Sequence, residues 1–275
     1  GVIDPKYMPG PLMAAFHHLT VAIADRALAP PVNAFRRRLG LAPVRNLLFD
    51  WNNSPDRVLG LFPDWFGPVQ PDWPKQTRLT GFPRFDPPNS DHQGEALPAM
   101  QEGNRASFVF TPGSANIQAR KFFAAAIAAS QQLGRSAILL TRDPAQLPDH
   151  LPPGIVHRPY VPLNDLLPHA AALIHHGGIG TTAQGLAAGI PQLVMPMSHD
   201  QPDNALRLRQ LGVGAALPPA KFTGPRVAAA LDRLLRSDAT LSRCRDLAAR
   251  CDPEALNVTA RAIEDVAPHP SAARA

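Results

Sequence analysis

The sequence predicts an α/β fold: a doubly wound parallel sheet, covered by helices on both faces, in the second part of the chain. Two observations support this fold class. After residue 106, short apolar runs alternate with longer helical segments, and the runs are apolar at every position, as in parallel strands buried on both faces. The chain has 275 residues, of which 45% are hydrophobic and 18% charged. This composition is typical of a globular protein and excludes extended disorder.

The part of the chain before residue 96 is less regular. Helices are predicted over residues 11–28 and 32–39, the second ending at Gly40. Two apolar runs, at residues 57–62 and 77–82, predict strands at the margin of a sheet. Residues 86–103 are rich in Pro, Asn, Ser, Gly and acidic residues, and therefore predict a linker or long loop. We expect two domains, with residues 1–95 as the end of an amino-terminal domain plus linker and residues 96–275 as the carboxyl-terminal domain.

The alternation in the second domain gives each element in order. Strands are predicted at residues 107–110, 136–141, 155–157, 171–175, 192–195 and 214–217. Helices are predicted at residues 116–133, 181–188, 203–211, 225–236 and 241–250. In sheets of this kind, ligands bind outside the carboxyl ends of the strands, so the loops there are the candidate functional residues.

Charge and targeting features narrow the function classes. The formal net charge is +5, but the basic residues are scattered apart from the run at residues 36–38, and no aromatic-plus-basic pattern for nucleic acid is present. No apolar run reaches the ~20 residues of a membrane span, and the first residues do not resemble a signal peptide. The two cysteines, Cys244 and Cys251, are seven positions apart in a predicted helical segment, too far for a disulfide. We therefore expect a cytoplasmic protein. Because the chain opens on Gly1 without an initiator Met, we also expect it to be a fragment.

The stretch HHGGIGTTAQGLAAG, residues 175–189, follows one predicted strand and leads into a helix. Glycines allow the backbone to approach a ligand closely, and the free N–H groups at a helix start bind anions. We therefore expect a phosphate or pyrophosphate site, with His176 donating a hydrogen bond at its edge. The alternative is a turn needed only for packing. The spacing matches neither a P-loop nor a dinucleotide fingerprint. A metal shared by His175 and His176 is not expected, because adjacent strand residues point to opposite faces.

Three further loops follow strands of the same predicted sheet. The first offers the hydroxyl of Ser114, the second the aromatic face of Tyr160, and the third the carboxylate and amide of Asp200 and Gln201. Each has an ordinary structural explanation: a turn, a core tyrosine and a helix N-cap. Together with the glycine-rich turn, they predict a phosphate site, a platform for a base and a group that binds sugar hydroxyls. This combination favours a nucleotide-sugar site.

The run at residues 158–205, RPYVPLNDLLPHAAALIHHGGIGTTAQGLAAGIPQLVMPMSHDQPDNA, closely resembles the donor-binding region of family 1 glycosyltransferases. Members of this family have two Rossmann-like domains with a cleft between them, the GT-B arrangement. The resemblance implies that residues 96–275 are the GT-B donor domain and that the preceding residues are the remnant of a second Rossmann-like acceptor domain. The segment LFPDWFGPVQPDWP and the HHGGIGTTAQ variant look most like bacterial rhamnosyltransferases of rhamnolipid synthesis.

The resemblance also implies roles for individual residues. The donor diphosphate is bound by Ser114, His176, Gly178, Gly180 and Thr181, the nucleobase by Tyr160 and Val161, the ribose by Gln184, and the sugar by Asp200 and Gln201. Gln184 departs from the family, since plant members carry a Glu there that accepts both ribose hydroxyls. An amide makes that contact less well, which favours a dTDP donor such as dTDP-rhamnose over UDP.

The implied reaction is inverting transfer of a hexose or deoxyhexose from a dTDP- or UDP-sugar to an acceptor hydroxyl, on a small molecule or a lipid-like one. Neither a metal nor a cofactor is implied, and peripheral contact with the inner face of a membrane is compatible with a lipid-like acceptor. The family's base, a His in the amino-terminal domain, is expected upstream of Gly1, and His17 and His18 are interpreted as ordinary helix residues. The fragment alone is therefore expected to be inactive. A nucleotide-sugar epimerase and a non-catalytic nucleotide-sugar-binding module remain as alternatives.

Overall fold

The computed structural model describes residues 10–86, 107–113 and 119–266, and these residues form two compact units. The first unit contains residues 10–60, 69–79 and 263–266. The second contains residues 61–68, 80–86, 107–113 and 119–262. The domain boundary that the sequence predicts at residue 95 lies outside the described residues. The second unit carries the candidate site.

The first unit holds a long helix and a small sheet. Helix α1 is Gly10–Arg38, a five-residue π-helix follows at Leu47–Trp51, and strands β1, Val58–Gly60, and β2, Thr77–Leu79, pair in parallel. The two strands confirm the strands predicted from the sequence, although each is only three residues long. Along the described part of the chain, no helix is both long enough and apolar enough to cross a membrane.

The prediction of two separate helices before residue 40 is wrong, because α1 continues through Pro30 and Pro31. Each proline removes one N–H donor from the helix, a loss that often ends a helix. Here the returning chain is bonded to the helix on both sides of the proline pair. Asp25 accepts the N–H groups of Asn46 and Leu47, and the Asn33 side chain makes two hydrogen bonds with the Val44 backbone. These tertiary bonds hold the helix together across the prolines.

The second unit is built on a six-stranded sheet in which every pair of neighbours is parallel, as the sequence predicts. Its strands are β3, Phe108–Thr111; β4, Ala137–Leu140; β5, Ile155–Arg158; β6, Ala172–His175; β7, Gln192–Val194; and β8, Gly214–Ala216. The strand order is β5-β4-β3-β6-β7-β8. The chain moves outward from β3 in one direction through β4 and β5, and in the other through β6, β7 and β8. The direction of winding therefore reverses between β3 and β6.

The α-helices that follow β3 in the chain are α2, Arg120–Leu133; α3, Leu163–Leu166; α4, Ile179–Ala187; α5, Gln201–Gln210; α6, Gly224–Leu235; α7, Asp238–Ala249; and α8, Ala255–Glu264. Helices α2 to α5 lie between the strands of the sheet in the chain, and α6 to α8 follow the last strand. The predicted helices are confirmed to within a few residues, and the first residues predicted for α2 lie outside the described residues. Helix α2 ends at the predicted residue, where Gly134 adopts a left-handed φ of 62°. Helix α8 and the short helix α3 were not predicted.

The sheet is covered on both faces, which explains why its strands are apolar at every position. Along β3, Phe108 and Phe110 pack with α2 and α6 in one cluster, whereas Val109 packs with Ile138 and Leu173 in another. All five side chains are fully buried. On the first face α2 and α6 pack closely, and a Cβ added at Gly224 would lie 2.6 Å from the Ala128 Cβ.

A packing constraint inside α4 gives a test of this core. A Cβ at Gly185 would lie 2.5 Å from Cδ of Gln192, whose carboxamide is held by hydrogen bonds to His175 and to the Thr182 carbonyl. We expect Gly185→Ala to lower the free energy of unfolding by about 1–3 kcal/mol, the usual cost of overpacking a core. Gly180→Ala is the matched control in the same helix, because its Cβ would meet no atom within 4 Å.

The control is expected to leave stability unchanged or to raise it by up to about 1 kcal/mol, because alanine favours helix over glycine. Urea unfolding followed by circular dichroism measures both variants. Equal effects at the two positions would contradict the packing argument.

Candidate functional site

The candidate site lies at the carboxyl ends of β3 and β6, where the winding of the sheet reverses. The two strands pair directly, with Thr111 opposite His175, so the chain leaves both strands at the same edge. The loop at Pro112 and Gly113 therefore lies beside the loop that begins at His176. Open α/β sheets bind ligands at such a reversal, because the connections on either side diverge and leave a crevice.

The turn after β6 is determined by Gly177. Its φ is +94°, and a Cβ there would lie 2.7 Å from Cγ1 of Val194, so only glycine fits without displacing the core. Both peptide groups of this residue are used. Its N–H donates to Nδ1 of His175 at 3.1 Å, and its carbonyl accepts from the Asn204 side chain at 2.9 Å. The turn is thus fixed by side chains from β6 and α5.

His175 is a structural residue of this turn, at the end of the strand predicted over residues 171–175. It is fully buried. Because Nδ1 accepts from Gly177, the ring proton is on Nε2, which donates to the Gln192 side chain at 2.9 Å. The pKa of His175 is lowered to about 3, first by burial and second by His176, whereas the hydrogen bond to Gln192 opposes the shift. The ring is therefore neutral at physiological pH.

His176 lies on the cleft side of the same turn, between two glycines. A Cβ at Gly113 would lie 2.8 Å from the Cε1 atom of His176, and one at Gly178 would lie 2.5 Å from its Nε2 atom. Its Nδ1 atom is buried and has no hydrogen-bond partner among the described residues. Burial lowers the pKa of His176, and the Asp200 carboxylate opposes this shift in part. A neutral ring with an unused nitrogen is suited to hydrogen bonding rather than to ion pairing.

Helix α4 begins directly after this turn and presents its free N–H groups. Gly178 is the N-cap and has no side chain to accept a hydrogen bond, and the first helical bond runs from Thr182 N–H to its carbonyl. The N–H groups of Ile179, Gly180 and Thr181 therefore have no acceptor within the helix. Gly180 is exposed, and no atom lies within 4 Å of where its Cβ would be. An anion can approach the backbone here without steric hindrance.

A cleft of about 1000 Å³ opens above these loops. Lys121 and Arg142 line it and bring positive charge, and Asp143 is the one carboxylate among its described lining residues. That carboxylate already accepts from the Ala145 N–H and from the Gln146 side chain. The charge around the cleft therefore favours an anionic ligand. Across the described ranges, no group of three or more His, Cys, Asp or Glu side chains is arranged to hold a metal ion.

The structure brings most of the predicted site residues to this one cleft. Those that line it are His176, Gly178, Gly180, Thr181, Tyr160, Val161 and Gln201. Ser114 lies outside the described residues, although its neighbours Thr111, Pro112 and Gly113 line the cleft. Gln184 and Asp200 are not among the lining residues. The roles assigned to all of these residues stay predictions.

The predicted acid–amide pair is already bonded within the protein. Gln201 uses its side-chain oxygen to accept from the N–H groups of Met197 and Ser198, so its amide N–H₂ is the part left for a ligand. The Asp200 carboxylate accepts from the Asn204 side chain at 2.8 Å. His199, the residue before this pair, has a left-handed φ of 58°, and its Nδ1 atom lies 2.7 Å from the Ser198 hydroxyl.

Sequence reasoning missed three residues near the site. Lys121 and Arg142 line the cleft, but they looked like ordinary surface cations in the sequence. Asp86 lies at the edge of the predicted linker, and yet its carboxylate accepts from the Gln184 side chain and from the Asn164 N–H. Arg142 directly follows a predicted strand, at the same edge of the sheet as the predicted loops, so the sequence alone could have placed it among the site residues. Asp86 carried no local signal.

Comparison with known protein families matches residues 131–264 to the carboxyl-terminal domain described as erythromycin biosynthesis protein CIII-like. Residues 131–264 are therefore similar to this family of domains. The prediction of a family 1, GT-B type of domain is therefore confirmed. Glycosyltransferases are among the proteins to which this chain is similar. The predicted nearness to rhamnolipid-type rhamnosyltransferases is not shown.

One curated relative and two solved structures illustrate the similarity. O-mycaminosyltylonolide 6-deoxyallosyltransferase of Streptomyces fradiae is 31% identical over an alignment of 252 residues that covers 86% of this chain and 57% of the relative. The chain thus spans less than two thirds of that relative. The solved structure of the glycotransferase of kitacinnamycin aligns over 95% of this chain and 68% of that glycotransferase. The sequence identity is 24% and the TM-score is 0.74.

Glycosyltransferase VinC, solved in complex with dTDP, has a TM-score of 0.60 and 22% identity, over 76% of this chain and 51% of its own. At this level of identity the two structures support the fold alone.

The low pKa of His175 predicts how stability depends on pH. The unfolded chain binds a proton at His175 near pH 6.5, whereas the folded protein keeps the ring neutral down to about pH 3. The unfolded state therefore binds more protons as the pH falls between these values. We expect His175 to decrease the free energy of unfolding by up to about 1.4 kcal/mol per pH unit below pH 6.5.

Urea unfolding of the unmodified protein and of His175→Asn at pH 7.5 and pH 5 measures this contribution. The variant retains an acceptor near the Nδ1 position but does not titrate, so the loss of stability between the two pH values should be smaller. His150→Asn, at an exposed position, is the control and should leave the loss unchanged. The same pH dependence in all three proteins would show that His175 does not titrate as described.

Proposed function

We propose that the second unit binds a dTDP- or UDP-linked hexose or deoxyhexose, and that the protein to which this chain belongs transfers the sugar to an acceptor hydroxyl with inversion. One observation carries the proposal. The free N–H groups of α4 and the ring of His176 lie together at a cationic cleft at the reversal point of the sheet. That arrangement suits a diphosphate. The EryCIII-like domain and the glycosyltransferase relatives support the same reaction class.

Within this proposal each predicted residue has a part. The diphosphate binds at His176, Gly178, Gly180 and Thr181, with Ser114 on the neighbouring loop. The nucleobase lies against Tyr160 and the Val161 backbone. Gln184 serves the ribose, and the Gln201 amide and Asp200 serve the transferred sugar. Burial and the nearby Asp86 carboxylate raise the pKa of the Tyr160 hydroxyl, so the ring is a neutral aromatic surface for a base.

The chemistry follows from where negative charge develops. When the acceptor hydroxyl attacks the anomeric carbon, the bond to the diphosphate breaks and the leaving oxygen gains charge. The backbone N–H groups of α4 and the His176 N–H stabilise that charge, because they are already oriented and need not reorganise. The acceptor proton passes to a base on the opposite face of the sugar. The resemblance assigns this base to a histidine of the acceptor domain.

The finer parts of the proposal concern the donor and the acceptor. The amide at Gln184 favours a deoxyribose donor, because a carboxylate accepts from two ribose hydroxyls better than an amide does. A dTDP-linked rhamnose is the donor to test first, since the sequence resemblance suggests it. The exposed apolar face of α1, formed by Leu12, Phe16, Leu19 and Ile23, supports a lipid-like acceptor. Such an acceptor agrees with an enzyme that works in the cytoplasm at the membrane surface.

Calorimetric titration with dTDP and UDP tests donor binding. We expect dTDP to bind more tightly than UDP, and clearly tighter UDP binding would contradict the interpretation of Gln184. His176→Ala should weaken both nucleotides by about 10- to 100-fold, the effect of losing one hydrogen bond to a charged oxygen. His150→Ala, which changes an exposed histidine away from the cleft lining, should bind as the unmodified protein does. Unchanged affinity in His176→Ala would contradict the diphosphate site.

Product analysis separates transfer from the alternative functions. The full-length protein is incubated with dTDP-rhamnose and either an acyl-chain acceptor or a water-soluble acceptor that carries the same hydroxyl group. We expect glycosylated acceptor and free dTDP, with more product from the acyl-chain acceptor. An isomerised sugar nucleotide would indicate an epimerase, and binding without any product would indicate a binding module.

A further inference from the structure

The carboxylate of Asp86 joins two elements that form separate walls of the cleft. Its Oδ2 atom accepts from the Asn164 N–H at 2.7 Å, and its Oδ1 atom accepts from Nε2 of Gln184 at 3.3 Å. Asn164 is 78 residues from Asp86 along the chain, and Gln184 is 98. One half-buried side chain thus bonds to α3 and to α4 at the same time.

The first bond fixes the loop that carries Tyr160. Helix α3 has only four residues, and its N-cap, Pro162, has no side chain that could accept a hydrogen bond. The Asn164 N–H is one of the free donors at the start of this helix, and Asp86 supplies the missing acceptor. Tyr160 and Val161 come immediately before Pro162 and line the cleft. Asp86 therefore holds the end of the loop on which we place the base.

The second bond orients a side chain one helical turn after the start of α4. Gln184 is three residues after Thr181, so both lie on the same side of the helix. Its carboxamide could in principle point either way, but the carboxylate accepts only from the N–H₂ end. The side-chain oxygen of Gln184 is therefore turned away from Asp86.

We propose that Asp86 is a positioning residue for nucleoside diphosphates: it sets the distance and orientation between the Tyr160 loop and the start of α4. This inference rests on the proposed function. A nucleotide with its base at Tyr160 and its diphosphate at α4 binds both walls through one covalent chain. Binding at one wall strengthens binding at the other only if the two walls are already at the right distance and orientation. Asp86 is the side chain that bonds to both.

A positioning role for Asp86 and a purely stabilising role have different effects on ligand affinity. When the distance or orientation between the two walls changes, a ligand that contacts both walls binds more weakly. A ligand that contacts only the start of α4 is unaffected. dTDP is a ligand of the first kind and inorganic pyrophosphate is one of the second. A general loss of structure would weaken both ligands together.

The experiment is calorimetric titration of dTDP and of pyrophosphate with the unmodified protein, Asp86→Ala, Asp86→Asn and Asp252→Ala. We expect Asp86→Ala to weaken dTDP at least tenfold and pyrophosphate less than twofold. In Asp86→Asn, the side-chain oxygen can still accept from the Asn164 N–H, and the side-chain N–H₂ group can donate to Gln184 once the Gln184 amide turns. The dTDP affinity of this variant should therefore stay within threefold of the unmodified protein. Asp252→Ala is the matched control, because Asp252 also accepts a backbone N–H near a helix start, that of Glu254, but this helix, α8, contributes no residue to the cleft lining.

The outcomes are distinguishable. If Asp86→Ala does not fold, Asp86→Ser replaces it, because its shorter side chain cannot bridge both partners, and the same difference between ligands is expected. Equal weakening of dTDP and pyrophosphate, or no change in either, would overturn the positioning role. If the unmodified protein binds neither ligand, the proposed function is wrong and the inference is wrong with it. If the unmodified protein binds both and the variant shows no difference between them, only the inference is wrong.

Discussion

The candidate site depends on the two hydrogen bonds made by the backbone of Gly177. The His175 side chain accepts its N–H, and the Asn204 side chain donates to its carbonyl. Buried peptide groups must find partners, and here the partners come from the strand before the turn and from the helix after the next strand. The direction in which α4 leaves the sheet follows from this turn, and so do the place of the His176 ring and the exposure of the first N–H groups of α4. A neutral His175 is required, because protonation of Nδ1 would remove the acceptor for Gly177.

The fold of the second unit could be predicted because its signals are local. Each strand of the sheet is a short apolar run, and α2, α4 and α5 end near Gly134, Gly189 and Gly212, which adopt a left-handed φ. The loops at His176, Tyr160 and Gln201 could be grouped without any structure, because parallel strands place their carboxyl ends at one edge. In the first unit the prediction of a helix break at Pro30 and Pro31 is wrong. Hydrogen bonds between Asp25 or Asn33 and a distant segment outweigh the local effect of the prolines.

Other parts of the site could not be predicted, because they depend on which side-chain atoms are already bonded. The sequence shows Asp200 and Gln201 as free polar groups, whereas the structure uses the Asp200 carboxylate for Asn204 and the Gln201 oxygen for its own loop. Likewise, Gly178 suggested a backbone that approaches a ligand closely. In the structure the missing side chains of Gly113 and Gly178 make room for the His176 ring. These glycines thus act through packing, and their spacing in the sequence does not predict this effect.

The lowered pKa of His176 determines where the positive potential of the cleft comes from. Because burial keeps the ring neutral, it contributes a directional hydrogen bond and no net charge. The favourable field for a diphosphate must then come from the α4 N-terminus and from Lys121 and Arg142. Backbone dipoles and a neutral donor hold their orientation without a counter-ion, whereas the two cations lie on the exposed side of the cleft. Salt therefore screens the cationic part of this potential more strongly than the part from α4, so the α4 turn carries most of the geometric specificity for phosphate oxygens.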